Sequence, residues 1–235
     1  MYPSVESTVK EIISTPWAIT NGTQVPETDD VALKNGGKLV DATYLYADLA
    51  DSSKIAQSLN KEAAAKIIKV YVNTATRILR HKGGEIRSFD GDRVMAIFMG
   101  ADKDDRAVRA AMGINWAVHQ VMRPAIKDGW TDGADFAEVS HGVGIDSGEA
   151  LIIRGGIRNN NDLISVGAAP NVAAKLSDIR DWRASLFITD RVKAELSEPY
   201  LKYDTYKDVW SVINWSYKVG GKSVTVYGSS VYWEI

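Results

Sequence analysis

The chain has 235 residues, 45% of them hydrophobic, a formal charge of −2 and no cysteine, a balance that suits a folded globular protein with a sizeable core. The absence of cysteine excludes disulfide frameworks, thiolate nucleophiles and cysteine-ligated zinc, and the interspersion of Lys and Arg with Asp and Glu leaves no basic stripe for nucleic acid. No window approaches the ~18 uninterrupted apolar residues of a membrane span, so a cytoplasmic protein with neither a membrane nor a nucleic-acid partner is expected.

Residues 1–38 are rich in Pro, Asn, Thr and Gly and close in KNGGK, which predicts an N-terminal extension packing on a main domain of residues 39–235. LVDATYLYADL, from Leu39, reads as a strand buried on both faces. KEAAAKIIKVYVNTATRILRHKGG then places Ala64, Ile67, Ile68, Tyr71, Val72, Ala75, Ile78 and Leu79 at helical spacing, and Gly83 stops that helix. GEIRSF and DRVMAIF follow, separated by Asp90 and Gly91, and Asp-Gly between alternating runs signals a hairpin. A second helix is expected from Asp104 to Met122, with Val108, Ala111, Met112, Val118, Val121 and Met122 facing inward.

FAEVSHGVGID supplies the next strand and completes a β-α-β-β-α-β order, which predicts an α+β fold with a ferredoxin-like core. SGEALII reads as doubling back on that strand. LISVG is a further strand, APNVAAKLSDIRD a helix and ASLFITD a short strand, and the remainder is β-rich, so additional C-terminal strands and helices extend the core.

In this topology the first strand lies beside the central hairpin, and Asp48 in LYADLAD and Asp92 hold positions where their carboxylates meet. Two such carboxylates in one pocket are costly unless a cation sits between them. Mg²⁺ takes oxygen ligands and binds phosphates together with one or two carboxylates. Two cations ~3.5–4 Å apart can stabilise both the attacking and the leaving oxygen of a displacement at phosphorus. Gly91 would let a backbone and a phosphate approach closely. The alternative is that Asp90 and Gly91 only make a turn and Asp92 only begins a strand.

In SVGAAPNVAAKLSD, Pro170 suits the first turn of a helix, with Val172, Leu176 and Ile179 as its buried face. Asn171 and Lys175 lie one turn apart on another face, where an amide and an ammonium can hold a ribose and a polyphosphate. A solvated surface lysine is the alternative. His81, His119 and His141 are far apart and read as structural or solvated. Trp130, Trp182, Trp210 and Trp215 read as core and dimer contacts, Glu149 as turn chemistry, and Asp41 and Asp51 as pointing elsewhere.

YADLADSS, SFDGDRVMAIF, HGVGIDSGEA and SVGAAPNVAAKLSD, in that order and spacing, resemble the class III nucleotidyl cyclase catalytic domain over about residues 39–187. The resemblance implies that Asp48 and Asp92, with the Leu49 carbonyl nearby, bind two divalent cations, Mn²⁺ or Mg²⁺. It also implies that Asn171 orients the ribose. The family has Arg where this chain has Lys175, which keeps the charge but loses the planar fork. A head-to-tail homodimer is implied as well, each active site joining the aspartates of one subunit to the Asn helix of the other.

Purine cyclases of that family choose their base with two side chains that correspond here to Ser88 and Ile164. Neither matches: Ile164 offers the adenine amine no acceptor, and Ser88 gives guanine no carboxylate. The run Arg87, Ser88, Phe89, Asp90, Gly91, Asp92 and the N-terminal NGTQVPETDDVAL instead resemble the pyrimidine cyclases of bacterial Pycsar anti-phage systems. This implies cyclisation of UTP or CTP, with the cyclic nucleotide read by a separate effector protein. Uracil is favoured because O2 and O4 accept hydrogen bonds from donors such as Arg87 and Ser88. Cytosine's amine would want an acceptor, which Asp90 supplies if it turns inward. Strand alternation could alternatively leave Arg87 pointing to solvent.

Overall fold

The computed structural model describes residues 4–130, 138–204, 207–214, 218–219 and 221–235. Phe136 and Ala137, at the expected start of the closing core strand, and Trp215 lie outside the described residues. Helix α1 (Val5–Ser14) and strand β1 (Ala18–Asn21) precede the long strand β2 (Gly36–Leu49). Then come α2 (Ser52–Ser58), α3 (Lys61–His81), β3 (Glu85–Asp90), β4 (Arg93–Phe98) and α4 (Lys103–Trp116). The chain continues through α5 (Arg123–Gly129), β5 (His141–Ile157), β6 (Asn160–Gly167), α6 (Ala168–Ser177), β7 (Leu186–Thr189), β8 (Ser211–Ile213) and β9 (Val226–Ser229).

Among the described residues these nine strands form one sheet, ordered β8-β9-β7-β5-β2-β4-β3, with β1 added to β2 and β6 to β5. Its centre, β5-β2-β4-β3, is antiparallel throughout. With α3 and α4 as the crossovers, this is the ferredoxin-like α+β order that the sequence predicts. One face of the sheet buries Leu45, Ala47 and Phe98 against Ile67, Tyr71 and Leu79 of α3 and Val108 and Met112 of α4. The other buries Val40, Tyr44 and Ile152 against Ala169 and Ala173 of α6 and Val31 of the N-terminal segment. Asn60 starts α3 by accepting the Ala63 N–H at 2.9 Å, which satisfies one of the helix's unpaired donors.

Helix α6 comes unusually close to β5 because the sheet offers it glycines. A Cβ on Gly144 would stand 2.2 Å from the Ala173 carbonyl, and one on Gly142 would stand 2.3 Å from the Ser177 carbonyl. The HGVGID motif is thus the seat of the helix that carries Asn171.

Three expectations need correction. SGEALII does not double back: it extends β5, which pairs with β2 from Leu49 opposite His141 to Gly37 opposite Ile153. Glu149 is therefore no turn residue but lies within β5 opposite Asp41, and Asp146 is a fully buried anchor, whose Oδ1 accepts from Thr189 Oγ1 at 2.6 Å and from Arg191 Nε at 3.1 Å. The reversal comes later, at Asn159 with φ 70°, a left-handed conformation that Asn tolerates.

The second helix does not stop at Met122, because a π-helical stretch, Ala117–Met122, carries it into α5. That wider turn absorbs Pro124, which would clash with the carbonyl one regular turn earlier. It also shifts the helix's phase, leaving Val121 50% exposed. Finally, the hairpin strands run to Asp90 and from Arg93, with those two residues opposite each other, so the turn is Gly91-Asp92. Gly91 has φ 62°, the conformation a hairpin of this length needs at its first central position. Its surroundings are otherwise open, so the turn accounts for the glycine.

Candidate active site

Asp48 is the penultimate residue of β2 and stands opposite Arg93 in the ladder with β4, immediately beside the turn that carries Asp92. Regular antiparallel pairing therefore brings the two carboxylates to one place. Both line a cavity of about 460 Å³ together with Leu49, Lys54, Arg93, Arg180 and also Asp51, contrary to the expectation that it points elsewhere. Asp48 is 8% exposed and is braced by two arginines, Arg180 Nη2 at 2.8 Å from Oδ2 and Arg93 Nε at 3.4 Å from Oδ1. Oδ2 of Asp92 is buried with no hydrogen-bond partner.

An unsatisfied buried carboxylate oxygen beside a second carboxylate is what a hard cation would satisfy. Among the described residues no group of three or more His, Asp or Glu gathers in metal-binding geometry. A cation here would take two protein carboxylates and complete its shell with water and phosphate oxygens, the usual manner of Mg²⁺. The residues present fit such an ion. Tyr71 of α3 lies behind this cavity, fully buried, and burial together with the charges of Asp48 and Asp92 holds its phenol well above the usual range. Its ring meets that of His141 edge-on at 5.9 Å. His141 Nε2 lies 2.9 Å from Asn115 Oδ1, and burial drives its pKa down to about 3. His141 thus reads as a neutral, structural histidine.

A second cavity, of about 210 Å³, is lined by Tyr46, Arg87, Ser88, Ile164, Ser165 and Asn171, over an apolar floor that includes Met95, Ile97 and Ile152. Arg87 and Ser88 both reach it because the β3–β4 ladder slips between Ile86 and Ser88, where Arg87 is the extra residue. Such a bulge redirects a side chain that simple alternation would turn the other way. Ile164 comes from β6, half exposed, and Asn171 from the first turn of α6, where its amide donates to the Gly167 carbonyl at 3.0 Å. Asp90 and Gly91 do not line this cavity; they belong to the hairpin tip.

The two cavities lie toward opposite ends of α6. Asn171 is near the helix start, and Asp178 and Arg180 follow its end, where they contact Arg93 and Asp48. A helix of ten residues spans about 15 Å, so within one chain Asn171 does not share a cavity with Asp48 and Asp92. Lys175 lies one turn after Asn171, exposed. Sequence reasoning did not find Arg93, Arg180, Tyr46 or Glu27. Arg93 is signalled by its place after Asp92, and Tyr46 by lying two residues before Asp48 on the same strand face. Nothing local marks Arg180 or Glu27, whose partners are distant in the chain.

No family model matches the chain. It is 39% identical to the uridylate cyclase of Rhodovulum sp. (strain MB263) over 232 residues, covering 97% of this chain and 95% of that protein. It is 36% identical to the uridylate cyclase of Xanthomonas perforans, covering 96% and 94%. Among solved structures, a bacterial light-regulated adenylyl cyclase superposes with a TM-score of 0.68 at 23% identity, covering 82% of this chain and 51% of that one, a likeness of fold. On the strength of the near-full-length matches, the chain belongs to the uridylate cyclase family.

Proposed function

We propose that the protein is a uridylate cyclase that converts UTP to 3′,5′-cyclic UMP and pyrophosphate, working as a homodimer with two shared sites. The observation that carries this reading is the cavity that joins Arg87, Ser88 and Ile164 to Asn171. Its charged group is a guanidinium, which only donates hydrogen bonds, and the O2 and O4 of uracil only accept them. Ile164 gives the adenine amine nothing to bond. The near-full-length similarity to uridylate cyclases supports the same substrate.

In the reaction the ribose 3′-oxygen bonds to the α-phosphorus, the bond from that phosphorus to the β-phosphate's bridging oxygen breaks, and pyrophosphate leaves with the electron pair. The 3′-hydroxyl proton passes to water. Two divalent cations, Mn²⁺ or Mg²⁺, would be held by Asp48 and Asp92 beside the Leu49 carbonyl and supply charge neutralisation at the hydroxyl and the triphosphate. Asn171 orients the ribose so that the 3′-oxygen lies in line with the leaving group. Lys175 faces the charge that grows on the phosphoryl oxygens. Arg87 and Ser88 address the base, over the apolar side of Ile164, while Asp90 and Gly91 shape the hairpin beside them.

Because Asn171 and the two aspartates occupy separate cavities of one chain, a complete site takes Asp48 and Asp92 from one subunit and α6 from its partner. Residues 1–38 act as an extension of the catalytic unit of residues 39–235. No described helix is long and apolar enough to cross a membrane. The likeness to anti-phage cyclases extends the reading to a cyclic nucleotide that a separate effector protein detects. Incubation with an equal mixture of ATP, GTP, CTP and UTP and Mn²⁺, followed by mass identification of the product, is expected to give cyclic UMP. Cyclic AMP or cyclic GMP as the main product would contradict the reading, and cyclic CMP would correct the base.

A further inference from the structure

The N-terminal segment does more than cover the sheet. Val31 is buried in the cluster that floors the nucleoside cavity, and Val25 packs against it. Between them Glu27 meets Arg87 through two parallel contacts, Arg87 Nη1 to Oε2 and Nη2 to Oε1, each 3.2 Å. Glu27 is held in turn by a short helical turn, Thr28–Asp30, in which Asp30 Oδ2 accepts the Glu27 N–H at 2.9 Å. Arg87 is itself the bulged residue of β3, so no ladder partner fixes its direction. Its side chain is only 16% exposed, and its charge is answered by Glu27, whose carboxyl the guanidinium holds below the usual range.

We infer that Glu27 is a positioning residue for base recognition: its carboxylate fixes the Arg87 fork in the nucleoside cavity so that the remaining N–H groups meet the carbonyl oxygens of a pyrimidine. A guanidinium has five N–H donors, and Glu27 engages two. The three left over retain the fixed planar geometry, whereas an unclamped arginine would have to be ordered by the substrate itself. The pairing also makes Arg87 part of a neutral unit, matched to an uncharged base rather than to a phosphate. This inference rests on the proposed use of a pyrimidine nucleotide.

The test is steady-state kinetics with UTP and Mn²⁺ on the full chain, comparing wild type, Glu27→Gln, Arg87→Ala and the double variant, with thermal melts of each. Glu27→Gln is expected to raise KM for UTP about tenfold, the scale of one charge-assisted hydrogen bond, with kcat within about twofold. In the Arg87→Ala background the same change should add less than about twofold, because both act through one group. Glu27→Asp should recover part of the KM. Asp29→Ala, which releases the neighbouring Asp29–Arg154 contact of the same segment (3.2 Å), should leave KM at the wild-type value. A wild-type KM in Glu27→Gln overturns the inference, as does a full multiplication of the two single effects in the double variant. So does a KM rise in Asp29→Ala equal to that of Glu27→Gln, which would mark general docking of the segment. Wild-type protein that makes nothing from UTP instead overturns the pyrimidine reading on which the inference stands.

Discussion

Asp48 stands on a regular antiparallel ladder and Asp92 in the tight turn of the neighbouring β3–β4 hairpin, whereas Arg87 and Ser88 owe their shared cavity to a bulge farther along that hairpin, where Arg87 is held by a segment from the far N-terminus. In the first half-site Asp48 is buried and braced by Arg93 and Arg180. The second is looser, resting on the bulge, on a half-exposed Ile164 and on Asn171 at the surface, although the Arg87 side chain is only 16% exposed. Rigid pairing holds the carboxylates at close quarters against their mutual repulsion, a constraint suited to a cation cluster. The looser half-site can be altered by single side chains while the sheet stays intact, which suits a region that decides which base enters.

Breaking the rigid half should cost most. Asp92→Asn is expected to lower UTP turnover roughly a hundredfold or more, since several kcal/mol of charge stabilisation would be lost. It should not lower the melting temperature of metal-free protein, because Asp92 Oδ2 has no partner to lose. Kinetics and a calorimetric melt of the same sample check both signs.

In the looser half, Asn171→Ala should reduce kcat about a hundredfold through ribose misplacement, with little change in melting. A comparable fall in stability would show that the helix, not the amide, carries the effect.

His141, paired with Leu49 behind the carboxylates, sharpens the comparison through pH. Its folded pKa is about 3, against roughly 6.5 in an unfolded chain. As pH falls from about 6.5 toward 3, the unfolded state gains a proton that the folded state refuses, so stability falls, by at most about 1.4 kcal/mol per pH unit. His141→Gln should flatten the slope of unfolding free energy in denaturant titrations between pH 7 and pH 5. An unchanged slope would remove His141 from the account.

The smallest effect expected is from Arg180→Ala. Asp48 would lose one of its two braces, lowering metal-free stability by ~1 kcal/mol, and saturating Mn²⁺ should stabilise this variant more than wild type. Equal Mn²⁺ shifts in the two melts would argue against a cation at Asp48.

The sequence made the regular half legible. The buried strand through Asp48, the hairpin signal at Asp90-Gly91 and the apolar faces of α3 and α4 locate Asp48 and Asp92, because ladder pairing converts sequence spacing directly into distance, although the turn itself falls one residue later, at Gly91-Asp92. What escaped it depends on contacts distant in the chain. The bulge at Arg87 appears only once β3 and β4 are paired, and Glu27 reaches Arg87 across 60 residues. The continuation of β5 past Ser147 is set by pairing with β2 and by the burial of Asp146, which overrode a local turn signal. In the same way, the π-helical turn let a helix pass Pro124, where local rules end it.

The central claim is that each active site joins the carboxylates of one subunit to the α6 helix of its partner. Asp92→Asn and Asn171→Ala protein, each about a hundredfold or more less active alone, should regain activity when denatured together and refolded as a mixture, to about a quarter of wild type, because half the dimers then carry one intact site of two. Activity no higher than the sum of the two separate variants would contradict the account.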